Sequence, residues 1–191
     1  NKFNGITEYL AYRTKTEKFA MIIYNKNLSF CPITTHVPIK YVTKKINKNK
    51  IIDKVNLLSI FWKHKFNSRP KIGITSLNPH GESIDIFNED KKIVLPAINT
   101  LKKRKYNVNG PYAADTLFTK KNREKFNIII GMYHDQVLIQ IKTLFEYDAI
   151  NVTVGLPFVR VSPDHGPNET MLGKNLSNPL SLIRSIQFLD Y

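Results

Sequence analysis

Residues 126–132 read Phe-Asn-Ile-Ile-Ile-Gly-Met, an almost unbroken apolar run closed by Tyr133, His134, Asp135 and Gln136. A strand whose side chains are apolar on both sides of its pleat needs cover on both faces, and a parallel sheet sandwiched between helices supplies it. An antiparallel strand with one wet face would alternate instead. Residues 135–145 follow as a helix, with Val137, Leu138, Ile139, Ile141 and Leu144 as its apolar side chains, and residues 150–154 (INVTV) read as a further strand. Strand, helix and strand in succession place His134 at the carboxyl end of a buried strand, the location where open α/β sheets bind ligands.

Upstream, residues 7–13 form a short helix, and residues 19–24 (FAMIIY) and 28–35 (LSFCPITT) are β-prone runs around the Asn25-Lys26-Asn27 turn, a hairpin that ends near His36. Between residues 41 and 64, Ile46, Ile51, Val55, Leu58 and Trp62 recur at helical steps and predict one helix with solvated lysines, stopped before Pro70. Residues 71–77 predict a strand leading into the Asn78-Pro79-His80-Gly81-Glu82 turn. Residues 89–105 predict a helix buried through Ile93, Val94, Ala97, Ile98 and Leu101, and Asn109-Gly110-Pro111 predicts a turn. A last amphipathic helix spans 179–189, with Leu182, Ile183, Ile186 and Leu189 inward. Strands alternating with helices give the fold class: α/β, layered α/β/α.

Composition narrows the function. With 191 residues, 42% of them hydrophobic, the chain can bury a sizeable core, so disorder and repeat scaffolds are excluded. No run approaches a membrane span and the first residues lack a signal-peptide layout, so the expectation is a cytoplasmic protein with no membrane partner. A single cysteine, Cys31, rules out an internal disulfide and a cysteine-ligated zinc scaffold. The formal charge of +14 arises mainly from lysines at helix ends and on helix faces, and their number, beside abundant Asn and Ile, is the pattern of AT-rich coding. No specific nucleic-acid partner is expected.

Three of the five histidines, His36, His80 and His134, follow strand ends, and neutral imidazoles that leave a coordination position open suit a catalytic divalent ion. A hydrogen-bonded structural role for each is the plainer alternative, and His64, in a lysine-rich helix end, reads as solvent-facing. Asp135 either orients an imidazole or caps the next helix, and Asp115 reads equally as a cap. Lys142 on an apolar helix either snorkels or serves as a phosphate ligand or proton donor. Arg160 could clamp phosphate or carboxylate, or simply pair with Asp164. Neither GxGxxG nor GxxxxGK[ST] occurs, so the Rossmann fingerprint and the P-loop are absent. The turn Asp164-His165-Gly166 is open to an adenosine group or to no ligand at all.

Taken in order, Thr34-Thr35-His36-Val37-Pro38, Leu77-Asn78-Pro79-His80, Gly110-Pro111 with Ala114-Asp115-Thr116-Leu117-Phe118, Met132-Tyr133-His134-Asp135-Gln136, and Asn151-Val152-Thr153-Val154-Gly155-Leu156-Pro157-Phe158-Val159-Arg160 with Asp164-His165-Gly166 strongly resemble the 4-hydroxythreonine-4-phosphate dehydrogenase family of vitamin B6 synthesis. The match runs from about Gly5 to the C-terminus but covers only the later part of that family's length, so a fragment of a longer enzyme is expected. The resemblance implies an isocitrate/isopropylmalate-dehydrogenase-like fold and a homodimer with a shared active site. Residues 1–176 would be the metal- and substrate-binding domain, and the helix in 177–191 would pack on a missing N-terminal domain. It implies NAD-dependent oxidation and decarboxylation of 4-phosphooxy-L-threonine to 3-amino-2-oxopropyl phosphate. A paralogous dehydrogenase for a related phosphorylated four-carbon acid, and a truncated non-catalytic remnant, are the alternatives.

The resemblance also assigns residues. His36, His80 and His134 would bind a divalent metal, zinc ahead of magnesium or cobalt, with His134 reaching the metal held by the partner's other two histidines. Thr7, Lys142, Asn151 and Arg160 would contact substrate, Lys142 and Asp115 would be catalytic, and Asp164, His165 and Gly166 would face NAD. The chain departs from the family pattern at Ile6, at the shortened Gly81-Glu82-Ser83 stretch, at Val137 and at Pro167.

Overall fold

The computed structural model describes residues 3, 5–81, 88–166 and 169–190. Among these, the strands β1 (Ala20–Tyr24), β2 (Ser29–Thr34), β3 (Ile72–Thr75), β4 (Val108–Tyr112), β5 (Ile128–Tyr133), β6 (Ile150–Val154) and β7 (Arg160–Pro163) form a sheet in the order β4-β3-β5-β2-β1-β6-β7. From β4 to β2 the pairing is parallel; β1 pairs antiparallel with β2 and β6, and β7 antiparallel with β6.

The apolar strand β5 sits between β3 and β2, and its side chains divide by the two-residue pleat. Ile128, Ile130 and Met132 enter the larger core with Ile22, Cys31, Ile33, Ile72 and Ile74, under the helices α3 (Lys48–Phe66) and α4 (Leu95–Lys103). Ile129 enters the other core with Met21, Ile23, Phe30 and Phe126, under α5 (Ala114–Leu117) and α7 (His134–Phe145). One core on each face makes the α/β/α layering that the sequence predicts. Burying a side chain such as Ile129 on each face contributes about 1.5–3 kcal/mol apiece.

Four local expectations change. The predicted helix 41–64 is two helices, α2 (Val42–Lys45) and α3, because Asn47 is extended and its side chain accepts from Lys50 N at 2.9 Å, starting a new helix. Ile46 stays buried across the break, so the apolar spacing survives without one continuous helix. The predicted helix 89–105 begins with a π-helical segment, Asp90–Val94, before α4. The predicted turn at Asn109-Gly110-Pro111 lies within the strand β4. Its register shifts against β3, Gly110 has φ +139°, and a Cβ there would collide with the Ile74 carbonyl oxygen, so glycine forms an edge-strand irregularity instead of a reversal.

The fourth change concerns α8 (Leu180–Leu189). Its inward side is Ser181, Ser185 and Phe188, while Leu182, Ile183, Ile186 and Leu189 are about half exposed. Ser181 decides the orientation: its hydroxyl donates to the Ala149 carbonyl and accepts from Asp164 N at 2.8 Å. Buried backbone groups need partners, and this serine supplies two of them. The elements α1 (Ile6–Arg13) and α6 (Lys120–Arg123) complete the helices used below. The Glu82-Ser83 part of the shortened stretch and Pro167 lie outside the described residues.

Candidate functional site

The parallel strands set out the histidines. Thr34 of β2 is in register with Tyr133 of β5, so His36, two residues on, and His134, the first residue of α7, leave adjacent strands at the same edge. Their imidazole centroids are 5.9 Å apart. His134 Nδ1 lies 2.6 Å from Asp135 Oδ1, which settles the two sequence readings of Asp135 in favour of orienting the ring and leaves Nε2 outward. His80 follows β3 on the far side of β5, in the 3₁₀ turn Pro79–Gly81, with φ +57° and an exposed side chain.

A cleft of about 800 Å³ opens beside the paired histidines, over β1, β6 and β7. Thr7, His36, His134, Lys142, Asn151, Arg160, Asp164, His165 and Gly166 all line it. Residues distant in sequence thus meet because β6 and β7 hairpin onto β1, with Asn151 opposite both Ile23 and Ser162 and Thr153 opposite Arg160.

The cations hold unexpected partners. Arg160 donates to Thr153 Oγ1 at 3.0 Å and to Thr7 Oγ1 at 3.4 Å, so it does not take the Asp164 partner that the sequence allowed. Burial lowers its pKa and the charge of Glu8 opposes that shift. Asp164 belongs to Lys142 instead. The ammonium donates to the Asp164 carbonyl and lies 2.8 Å from Oδ2, an attraction of charge more than a well-aimed hydrogen bond. Burial raises the Asp164 carboxyl above its ordinary range, against Lys142, His134 and His165. Asn151 Oδ1 is buried without a hydrogen-bond partner, an acceptor ready for a ligand's N–H or O–H.

Two expected site residues stand elsewhere. Asp115 is exposed on α5, accepts from Thr116 N at 2.7 Å, and does not line the cleft; α5 packs against the turn that bears His80. Among the described residues no three metal-ligating side chains cluster, so His80 does not join His36 and His134 within one chain.

Sequence reasoning missed Glu8, whose Oε1 accepts from Thr35 Oγ1 at 3.2 Å and lies 3.9 Å from His36 Nδ1. It also missed Asp90, 2% exposed, which accepts from Leu77 N, Asn78 N and Asn78 Nδ2 and so fixes the approach to His80. Its position in a helical charge pattern gives no hint of either contact.

Two of the three expected ligands, His36 and His134, are of a type that holds divalent ions and lie close together, with a carboxylate on the ring of one, but within one chain they do not make a complete site among the described residues. In the Asp164-His165-Gly166 turn, Ser181 holds the Asp164 N–H, and among the described residues nothing lies within 4 Å of a Cβ built on Gly166.

Fold and cleft together define an α/β/α protein with an imidazole-bearing, cation-lined site at the edge of a mixed sheet. The profile of the pyridoxal phosphate biosynthetic protein PdxA family matches residues 1–189, and the chain belongs to that family. It is 44% identical over 188 residues to a 4-hydroxythreonine-4-phosphate dehydrogenase of Sulfurihydrogenibium sp., covering 97% of this chain and 58% of the relative. It is 31% identical to a D-threonate 4-phosphate dehydrogenase of Pectobacterium atrosepticum, covering 97% and 57%. A crystal structure of 4-hydroxythreonine-4-phosphate dehydrogenase from Klebsiella pneumoniae is similar at a TM-score of 0.83 and 32% identity, over 97% of this chain and 57% of that one. The chain therefore spans somewhat over half the length of the relatives it matches. None of the described helices is long and apolar enough to cross a membrane.

Proposed function

We propose that this chain is the larger part of an NAD-dependent dehydrogenase that oxidises and decarboxylates 4-phosphooxy-L-threonine to 3-amino-2-oxopropyl phosphate in the cytoplasm. The observation that carries the reading is the gathering of Thr7, Lys142, Asn151 and Arg160 in one cleft with His36 and His134.

Arg160, fixed by two threonine hydroxyls, presents its remaining N–H groups to a phosphate or carboxylate. Asn151 Oδ1 accepts from the substrate's ammonium or hydroxyl. Lys142 Nζ, aimed by Asp164, neutralises anionic substrate and holds a proton for the carbon that carbon dioxide leaves. His36, His80 and His134 would hold a divalent ion, zinc ahead of magnesium or cobalt, which would supply electrophilic polarisation of the substrate oxygen, and the Asp164-His165-Gly166 turn would face NAD, which would supply the hydride acceptor. In the balance, one hydride goes to NAD, the hydroxyl proton is released, and the C–C bond breaks to give carbon dioxide.

His80 and Asp115 stand together at the β3–β4 side, away from the cleft. The expected grouping, His36 with His80, and His134 on the partner's metal, differs from the one within a single chain, where His36 stands beside His134; a homodimer would supply the third histidine. The exposed apolar face of α8 is available to the additional length that relatives possess.

The test is NADH formation by the protein expressed from its natural reading frame, supplied with zinc, NAD and either 4-phosphooxy-L-threonine or D-threonate 4-phosphate. Turnover of the first substrate in preference to the second is expected. Preference for the second identifies the paralogous activity, and turnover of neither overturns the catalytic reading.

A further inference from the structure

The two facing imidazoles are not equally supported. His134 has its carboxylate in place, with Asp135 Oδ1 2.6 Å from Nδ1. On the same nitrogen of His36 the nearest carboxylate is Glu8, with Oε1 3.9 Å away, too far for a hydrogen bond. Glu8 is nevertheless braced toward the ring. Thr35, the residue before His36, donates to Oε1 at 3.2 Å, and the Glu8 side chain is only 26% exposed. Its second oxygen, Oε2, is buried with no hydrogen-bond partner. A carboxylate oxygen kept from water and left without a donor is costly, and such a group calls for an explanation.

Gly5 shows where the missing donor lies. A Cβ on Gly5 would stand 2.9 Å from Glu8 Oε2, 3.3 Å from His36 Cε1 and 3.4 Å from His36 Nδ1. A side chain on Gly5 would therefore crowd the orphan oxygen and the imidazole together, since both border the same space. Its φ of −173° is ordinary extended backbone, so the need for glycine here is steric alone. The His36 side chain is half exposed, which leaves its ring room to turn toward the carboxylate.

We infer that Glu8 is the positioning residue of His36, the counterpart of Asp135 on His134. It holds the ring proton on Nδ1 and turns Nε2 toward the ion in the cleft, as carboxylates behind ligating histidines do. The inference rests on the proposed role of His36 as a metal ligand. The charge of Glu8 also opposes, in part, the effect of burial on Arg160.

The experiment uses the 191-residue chain and zinc alone, with affinity read by chelator competition and the His36 ring tautomer read from its ¹⁵N shifts. His36→Ala reports loss of the ligand. Glu8→Ala is expected to weaken zinc about 10- to 100-fold, the usual effect of removing a carboxylate behind a ligating histidine, and to release the Nδ1–H tautomer. Glu8→Gln recovers part of the loss, because an amide oxygen still accepts from Nδ1–H. Gly5→Ala weakens binding with the carboxylate intact, by wedging it from the ring. Parental affinity and an unchanged tautomer in Glu8→Ala overturn the inference. If the parent binds zinc no better than His36→Ala, the metal reading itself fails. The tautomer then judges Glu8 alone: Nδ1–H in the parent and its loss in Glu8→Ala support the pairing, and the same tautomer in both overturns it.

Discussion

Along the parallel half of the sheet, β4-β3-β5-β2, buried polar side chains are fully engaged in holding backbone; over the antiparallel half, β1-β6-β7, several are left open. Gln136 shows the first condition. Its amide oxygen accepts from Met132 N at 2.7 Å and from Thr75 Oγ1 at 2.9 Å, and its nitrogen donates to the Ser76 carbonyl at 2.8 Å, joining α7, β5 and the end of β3. Thr34 donates to the Met132 carbonyl, and Asp90 is satisfied by the Leu77–Asn78 loop. On the other half, Asn151 Oδ1 is buried without a partner and Arg160 retains N–H groups beyond its two threonine contacts, while Glu8 Oε2, likewise buried without a partner, lies at the boundary between the halves, beside the residues that follow β2. Among the described residues, the buried polar side chains of the parallel half have their partners, and only the histidines beyond its strand ends are left for a ligand. The antiparallel half is completed by what binds there.

Substitutions should separate the two halves. Ile130→Ala, in the centre of the frame, should cost about 2–5 kcal/mol in chemical denaturation, the range for truncating a fully buried aliphatic side chain. Gln136→Ala should cost a comparable amount, about 2–6 kcal/mol, since it strands the Met132 N–H and the Ser76 carbonyl at roughly 1–3 kcal/mol each. A loss below about 0.5 kcal/mol for Gln136→Ala would break the contrast, because that is the range of surface changes.

Arg160→Ala should reverse the emphasis. Stability should fall by less than about 1 kcal/mol, while affinity for inorganic phosphate, followed by NMR titration of the chain, should drop roughly tenfold or more for loss of a charged hydrogen-bond donor. Equal phosphate affinity would remove the anion role from this half.

The smallest effect is a pH dependence. Burial raises the Asp164 carboxyl above its ordinary value of 3.8, so the folded chain holds that proton more tightly than the unfolded one. The stability it contributes is full below 3.8 and fades as pH rises through the folded value. Asp164→Asn should therefore gain thermal midpoint relative to the parent on going from acid toward neutral pH. A constant difference across that range would mean that Lys142 compensates the burial completely.

Much of the frame was legible in the amino-acid order. The run 126–132, the hairpin strands and the helix after His134 follow from burial on both faces and from helical spacing, which are local signals. Thr7 and Asn151 were legible only by resemblance, since nothing in their neighbourhoods distinguishes them from strand-end or helix-start residues, whereas Arg160 stood out by itself as a cation after a strand turn, with its partner misjudged as Asp164. The inward face of α8 was misread because apolar count favours the leucine side, whereas Ser181 engages the Ala149 carbonyl and the Asp164 N–H through groups 32 and 17 residues away.

The sequence by itself determined the α/β class, the buried strand β5, the family, and the placing of His36, His80 and His134 after strand ends, because those depend on side-chain character and short spacing. Tertiary structure alone decided that His36 faces His134 while His80 stands apart, that Lys142 and not Arg160 holds Asp164, and that Glu8 lies behind His36. Those contacts depend on sheet order and register, and a strand's neighbour is chosen by burial and backbone pairing over the whole chain rather than by the residues adjoining it.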